Sequence, residues 1–233
     1  MFRFFIAAAL AATLGACSNS YVATPYTGSA QPITKVAISD HSTPEEIAAF
    51  ESASVGSNFG LIGALIDAGV QDSREDALDA ALATVDFDAE ADMETALVSA
   101  FAEKGVSAAV VENGNREKGK FLVRVPDQTG EAQVFLDIVV THWGYAASGS
   151  GKKWRPSVYA SVRLLSLPDH KTLMENRIAY NVLGAPRGVV TLAPNPEYAF
   201  ENRDEMKSDP ERLAEGLRDA MHRVAETAVG LLQ

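Results

Sequence analysis

A single cysteine, Cys17, stands in a chain of 233 residues. With no second thiol there is no intrachain disulfide, no thiolate metal cluster and no CxxC redox pair. Histidine is almost as scarce. His41, His142, His170 and His222 are scattered, and no two sit at metal-ligand spacing. Positive charge is also short, with 20 Lys and Arg against 31 Asp and Glu. That balance opposes phosphate backbones, and no basic stripe interleaves with aromatics, so nucleic acid is excluded as a partner. It equally disfavours electrostatic attachment to anionic lipid heads. Neither long apolar stretch, residues 4–14 nor residues 58–71, is long enough to span a hydrocarbon core about 30 Å thick.

Catalytic signatures are missing as well. Residues 146–153 (AASGSGKK) superficially resemble a phosphate loop, but Ala146 replaces the first glycine and Lys153 the hydroxyl residue after the lysine. A glycine-serine hairpin connection explains them better. Ser39-Asp40-His41-Ser42 holds the residue types of a triad, yet neighbours in sequence cannot converge on one hydroxyl, and no G-x-S-x-G elbow is present. Carboxylate pairs of the glycosidase kind are spaced in three dimensions and leave no trace in sequence. No catalytic residue, cofactor or metal site is therefore assigned, and an enzyme is unsupported rather than excluded.

What is present begins at the amino terminus. Arg3, the apolar run Phe4 to Leu14 and the small residues Gly15 and Ala16 form a secretion signal over residues 1–16. Leu14-Gly15-Ala16-Cys17 then resembles the bacterial lipobox, and the chain resembles a bacterial lipoprotein on those four residues. The resemblance implies cleavage before Cys17, a diacylglycerol thioether on its sulfur and a fatty acyl chain such as palmitate on its new amino terminus. Each buried methylene contributes roughly 0.8 kcal/mol, so several chains hold where one is marginal. Ser18, where an aspartate would retain the protein, implies sorting to the outer membrane with the domain facing the periplasm. An ordinary signal cut elsewhere would instead leave Cys17 a plain thiol.

Removal of Arg3 with the signal leaves 19 basic against 31 acidic residues, and about 217 residues in all, enough for one sizeable domain. Residues 17–32 are polar and rich in Pro, Gly, Ser and Thr. They read as the lipidated cysteine and a flexible tether, which spans about 50 Å when extended. Residues 33–233 form the folded domain. A first strand is predicted over 33–39, and Thr43-Pro44 has the pattern of a capped short helix. Residues 58–71 (NFGLIGALIDAGVQ) are apolar on every side but carry Gly60, Gly63 and Gly69. They fit either an element buried against the sheet or an exposed one that docks a partner or dips into a membrane.

Residues 73–83 continue as a polar helix. A second helix starts among Asp88, Glu90, Asp92 and Glu94, where negative charge complements the dipole, and ends at Gly105. That acidic cluster reads as a solvated face. Short strands are predicted over 106–111 and 120–125, and period-2 patterns over 134–140, 158–164 and 176–182 predict antiparallel strands in a meander. Residues 184–208 read as a long irregular loop, and Asp209-Pro210 opens a last helix with Leu213, Leu217, Ala220, Met221, Val224 and Ala228 on its core face.

This order indicates an α+β fold: a mixed or antiparallel sheet with helices mainly on one face. The lipobox, the strand Lys35-Val36-Ala37-Ile38, the Leu97/Phe101 helix and the strand from Phe135 to Val140 together resemble envelope lipoproteins with domains like the amino-terminal domain of TolB, CsgG and the lipoprotein activators of penicillin-binding proteins. The leading expectation is a non-enzymatic accessory lipoprotein that holds or assembles an envelope protein complex at the periplasmic face of the outer membrane. It would be attached through lipid on Cys17 and bound to an envelope partner, with self-association left open. Candidate partner-binding residues are Phe59, Leu61, Ile62 and Leu65, with Trp143, Tyr145, Trp154, Tyr198 and Phe200 as an aromatic group. For Trp143, Tyr145 and Trp154 the competing expectation is cross-strand packing. Two alternatives stand beside the leading one: a periplasmic binding module for a small ligand or cell-wall fragment, using those aromatics and the 184–208 loop, and an envelope hydrolase.

Overall fold

Val134–Ala147, the longest of the described strands (β4), runs through the middle of the sheet as an almost unbroken series of buried residues. A computed structural model describes residues 21–29, 32–51, 72–112, 116–181, 183 and 187–232. Within these the strands are β1 (Lys35–Ser39), β2 (Ala48–Glu51), β3 (Ser107–Val111), β4, β5 (Arg155–Ser166), β6 (Thr172–Tyr180) and β7 (Val189–Leu192). The helices are α1 (Asp72–Ala83), α2 (Ala89–Glu103), α3 (Arg203–Ser208) and α4 (Pro210–Gly230). The order across the sheet is β3-β1-β4-β5-β6-β7, and β2 pairs with the far half of β4 beyond β1.

The fold is α+β with a mixed sheet. Only the β4–β5–β6 ladders are antiparallel; β1, β2 and β3 run parallel to β4 or its neighbour, and β7 runs parallel to β6. The expected meander is thus confined to three strands. Val134, Leu136, Ile138 and Val140 of β4 meet Val158, Ala160, Val162 and Leu164 of β5 on one face, and the helices cover them. Helix α4 presents Leu213, Leu217, Ala220, Met221, Val224 and Ala228 to that core, all fully buried. At its start Asp209 accepts from the Arg212 amide and Pro210 fills the first turn, the cap the sequence predicts. Helix α2 begins at the Asp88 cap and is closed by Gly105 at φ +73°.

Three local expectations fail. Thr43-Pro44 opens no helix, because the loop is tied instead to α2 and β4. Residues 184–208 contain β7, a short 3-10 turn (Pro196–Tyr198) and α3. Residues 120–125 are irregular and lie as a strap over the opposite face of the sheet, with Leu122 joining Ala37, Phe135 and Leu165 in a second, smaller core. The apolar stretch at 58–71 lies outside the described residues.

Under the strap sits Asp137, fully buried on β4. Its Oδ1 accepts from Arg116 Nη1 at 2.9 Å, and its Oδ2 from Arg163 Nη2 at 2.8 Å and the Leu122 amide at 2.8 Å. Arg116 also reaches the Asp40 carbonyl and Arg163 the Leu122 carbonyl, while the Arg163 guanidinium stacks 4.6 Å from the Phe121 ring. One carboxylate therefore joins β4, β5, the β1 exit and the strap. Asp137→Asn keeps the shape but leaves the buried Arg116 and the mostly buried Arg163 without their counter-charge, so it should cost about 3–5 kcal/mol in urea unfolding. A loss below about 1 kcal/mol would show that the strap is held by Leu122 and its apolar neighbours.

Candidate functional site

The aromatic group is where partner binding was expected, and the structure puts most of it inside. Trp143, Tyr145, Trp154 and Phe200 are all buried on the helix-covered side, and only Tyr198 is half-exposed. Trp143 Nε1 donates to the Pro44 carbonyl at 2.8 Å. Tyr145 stacks edge-on to Phe200 at 5.4 Å and its hydroxyl donates to the Leu213 carbonyl at 3.3 Å. Trp154 and Phe200 exchange backbone hydrogen bonds, and the Arg203 guanidinium lies 4.7 Å from the Trp154 ring. These rings are core, so the exposed aromatic surface is corrected to a packed one. A β-bulge between Val140 and His142 explains the change of side: beyond it, the odd-numbered Trp143 and Tyr145 face the helices. Helix α4 approaches this cluster through Gly216, where an added Cβ would meet the Tyr145 hydroxyl and lie 2.8 Å from Tyr198 Cβ. Phe59, Leu61, Ile62, Leu65 and Cys17 lie outside the described residues.

Carboxylates do converge, at the exit of β1. Glu90, on the first turn of α2, accepts from the amides of Ser42 and Thr43 at 2.8 and 2.7 Å and from the Thr43 hydroxyl at 2.5 Å. The acidic start of α2 is thus partly a latch on the β1–β2 loop and not wholly a solvated face. One turn on, burial pushes the Glu94 carboxyl up to about 7, with the charges of Glu90 and Asp40 adding to the shift. A carboxyl poised near neutrality has the character of a general acid. Its neighbour Glu90 is occupied by three loop donors and is not free to act as nucleophile or base. Among the described residues no group of three or more His, Cys, Asp or Glu is arranged to hold a metal ion.

On the strap-covered face, His142 is wholly buried beside Phe50, ring centroids 4.9 Å apart, and opposite Tyr159 on β5. Neither ring nitrogen has a hydrogen-bond partner among the described residues, and burial pushes its pKa down to about 4. The edge of β2 is protected by α1 and α3: Asp79 accepts from the Ile47 amide, Glu75 from the Ala49 amide, and Arg203 donates to the Ala49 carbonyl. None of these roles was visible in sequence. An acidic residue at helical spacing signals a dipole match, and which loop folds back onto it is set by the tertiary fold.

No family model matches the chain, and no curated protein matches it. Among solved structures it is similar to a Xanthomonas campestris protein of the DUF330 family, at 14% identity and TM-score 0.45 over 91% of this chain and 89% of that one. It is also similar to the PelC dodecamer from Paraburkholderia phytofirmans, at 10% identity and TM-score 0.38 over 91% of this chain and 99% of that one. A second PelC dodecamer from that organism, a variant, is similar at 12% identity and TM-score 0.37, with 91% and 99% covered.

Two groups here predict opposite pH responses. Glu94 binds its proton more tightly folded than unfolded, so it stabilises the fold below about pH 4.5 and loses that contribution as pH rises through about 7. His142 is held neutral, so its contribution is full above about pH 6.5 and is lost as pH falls toward 4, by on the order of 3 kcal/mol. Melting temperatures across pH 4–8 should therefore flatten on the acid side in His142→Leu and on the neutral side in Glu94→Gln; unchanged profiles would reject both assignments. Gly216→Ala should destabilise by roughly 1–2 kcal/mol, because the clash outweighs the helix-propensity gain of about 1 kcal/mol. Gly230→Ala, where the added Cβ meets nothing, is the control that should not destabilise in the same melts.

Proposed function

We propose that this chain is a lipid-anchored accessory protein of the bacterial envelope, which holds or assembles a protein complex at the periplasmic face of the outer membrane without a chemical step of its own. The observation that carries the reading is Leu14-Gly15-Ala16-Cys17 placed directly behind a short apolar run with one leading positive charge. Its physical sense is a folded body tied to a lipid surface by acyl chains, because a charge of about −12 after loss of Arg3 (19 basic against 31 acidic) would not hold it there.

Two features of the fold favour this reading over its rivals. A ligand pocket lined by Trp143, Tyr145 or Trp154 loses its support, since those rings are packed against α4 and the β1–β2 loop. A carboxylate hydrolase loses most of its support, since Glu90 is engaged by loop donors. Docking is left to surface charge and to the apolar residues Phe59, Leu61, Ile62 and Leu65. The described helices carry 14 acidic against six basic residues, which suits a partner with a basic face.

Cys17→Ser should leave the melting temperature of the domain unchanged but move the protein from the outer-membrane fraction to the soluble periplasm. Crosslinking in intact envelopes should recover one stoichiometric partner, lost on Leu61→Asp with Leu65→Asp. A Cys17→Ser protein that still sediments with the outer membrane, or recovery of monomer alone, would overturn the reading.

A further inference from the structure

The amino-terminal segment is part of the fold from Tyr21 onward. Thr24 and Glu175 exchange backbone hydrogen bonds at 2.8 and 2.9 Å, and the Thr27 amide donates to the Leu173 carbonyl at 3.0 Å. The Tyr21 ring lies 4.1 Å beneath the Arg177 guanidinium, and a Cβ added to Gly188 would lie 2.9 Å from the Tyr21 carbonyl. The chain is therefore fixed along the outer edge of β6, with Tyr21 turned to the strap-covered side of the sheet. That side is established by register: Arg177 pairs with Ser161, which pairs with Val139, two residues from Asp137.

This shortens the tether read from composition. Four Cα steps separate Cys17 from Tyr21, about 14 Å when extended, in place of about 50 Å. A lipidated sulfur lies at the hydrocarbon boundary, beneath a headgroup layer about 6 Å deep, so only about 8 Å of that reach stands above the bilayer surface. The helical layer, with helices about 10 Å across, has its outer surface about 15 Å from the sheet, on the side away from Tyr21. The anchor cannot reach round to lay that layer on the lipid.

Charge and apolar exposure favour the same orientation. The four described helices hold 14 acidic and six basic residues, whereas the exposed charges of the strap are nearly balanced: Lys118, Lys120 and Arg124 against Glu117 and Asp127, with Arg116 buried on Asp137. The exposed large apolar side chains among the described residues are Val22, at the chain's exit, and Val123, on the outer side of the strap, 79% and 97% exposed. An anionic lipid surface repels the strap side least and offers both valines a less polar environment.

We propose that the occupant of the strap-covered face is the phospholipid bilayer: the short leash from Cys17 holds the domain with Val22 and Val123 against the lipid and the acidic helical layer turned to the periplasm. The proposal rests on the lipidation of Cys17 advanced above. Its test uses the full-length lipidated protein in vesicles of phosphatidylethanolamine and phosphatidylglycerol, with brominated lipid as quencher. Single thiols introduced as Val22→Cys, Val123→Cys and, on α4, Glu211→Cys carry a fluorophore; a thioether-linked Cys17 does not compete for the label.

Quenching at positions 22 and 123 should exceed that at position 211 by at least threefold. Equal quenching at the three positions, or stronger quenching at 211, would overturn the proposal. Inserting twelve Gly and Ser residues between Ser18 and Asn19 should lower quenching at 123 to the level at 211, and persistence would overturn the role of the leash. The anchor itself is read separately, by the acyl mass on Cys17 and by flotation with vesicles. A protein that lacks both defeats the lipoprotein reading and the orientation with it, whereas one that has both and shows no contrast among labels defeats the orientation alone.

Discussion

The buried Asp137 carboxylate constrains more of this fold than any other group. A lone charge with no solvent access is tolerated only when paired and hydrogen-bonded, and here both oxygens are filled by two arginines and an amide. The pairing requires Arg116 to come across from the segment after β3, so the strap must close over the sheet. It requires Arg163 to lie opposite on β5, so the β4–β5 register cannot slip by one residue without turning the arginine to the helical side. The second core of Ala37, Leu122, Phe135 and Leu165 can form only once the strap is in place. An ion pair with two arginines to one aspartate adds little net stability over apolar packing, but it penalises every arrangement that leaves one of its members alone.

From this constraint the two sides of β4 acquire different work. The Val134-to-Val140 half offers alternate residues to helices and strap. The bulge at Val140/His142 then shifts the alternation, turning Trp143 and Tyr145 inward and leaving His142 with Phe50 and Tyr159 on the strap side. Strand β2 can pair along that second half only because its outer edge is met by Asp79, Glu75 and Arg203. At Gly144 the approach of β2 is so close that an added Cβ would collide with the Ala48 backbone, and its φ of +147° is open to glycine.

Period and capping were legible in the sequence; pairing direction and coverage were not. The β4, β5 and β6 alternations, the α2 and α4 caps and the buried stripe of α4 follow from local chemistry, and the α+β class follows from their order. Parallel pairing of β1, β2 and β3 with their neighbours leaves no period of its own, and β2 and β7 are four residues each, too short to stand out. Lys120 to Val125 has the composition of a strand, yet it makes no ladder because its task is to carry Leu122 and its neighbours over Asp137. The aromatic cluster misled for a related reason. Trp and Tyr are favoured both at interfaces and in cores, and the bulge that decides between the two involves one extra residue with no signature.

The same redistribution bears on how such a body can act. With its large rings used internally and its carboxylates at the β1 exit tied to a loop, the described domain presents mainly charge, and that charge is uneven. The described helices are strongly acidic, while the exposed charges of the strap nearly balance and it carries an exposed valine. A free monomer in solution gains nothing from such asymmetry, since its net repulsion depends mostly on the total. A body fixed by one edge to a charged plane gains directly, because the sign nearest the plane sets the energy within a Debye length of about 8 Å. In the lipid-anchored orientation proposed above, the N-terminal segment, bonded along β6 from Tyr21 to Thr27, is that edge, and it links the fold of the sheet to the direction in which the acidic helices face.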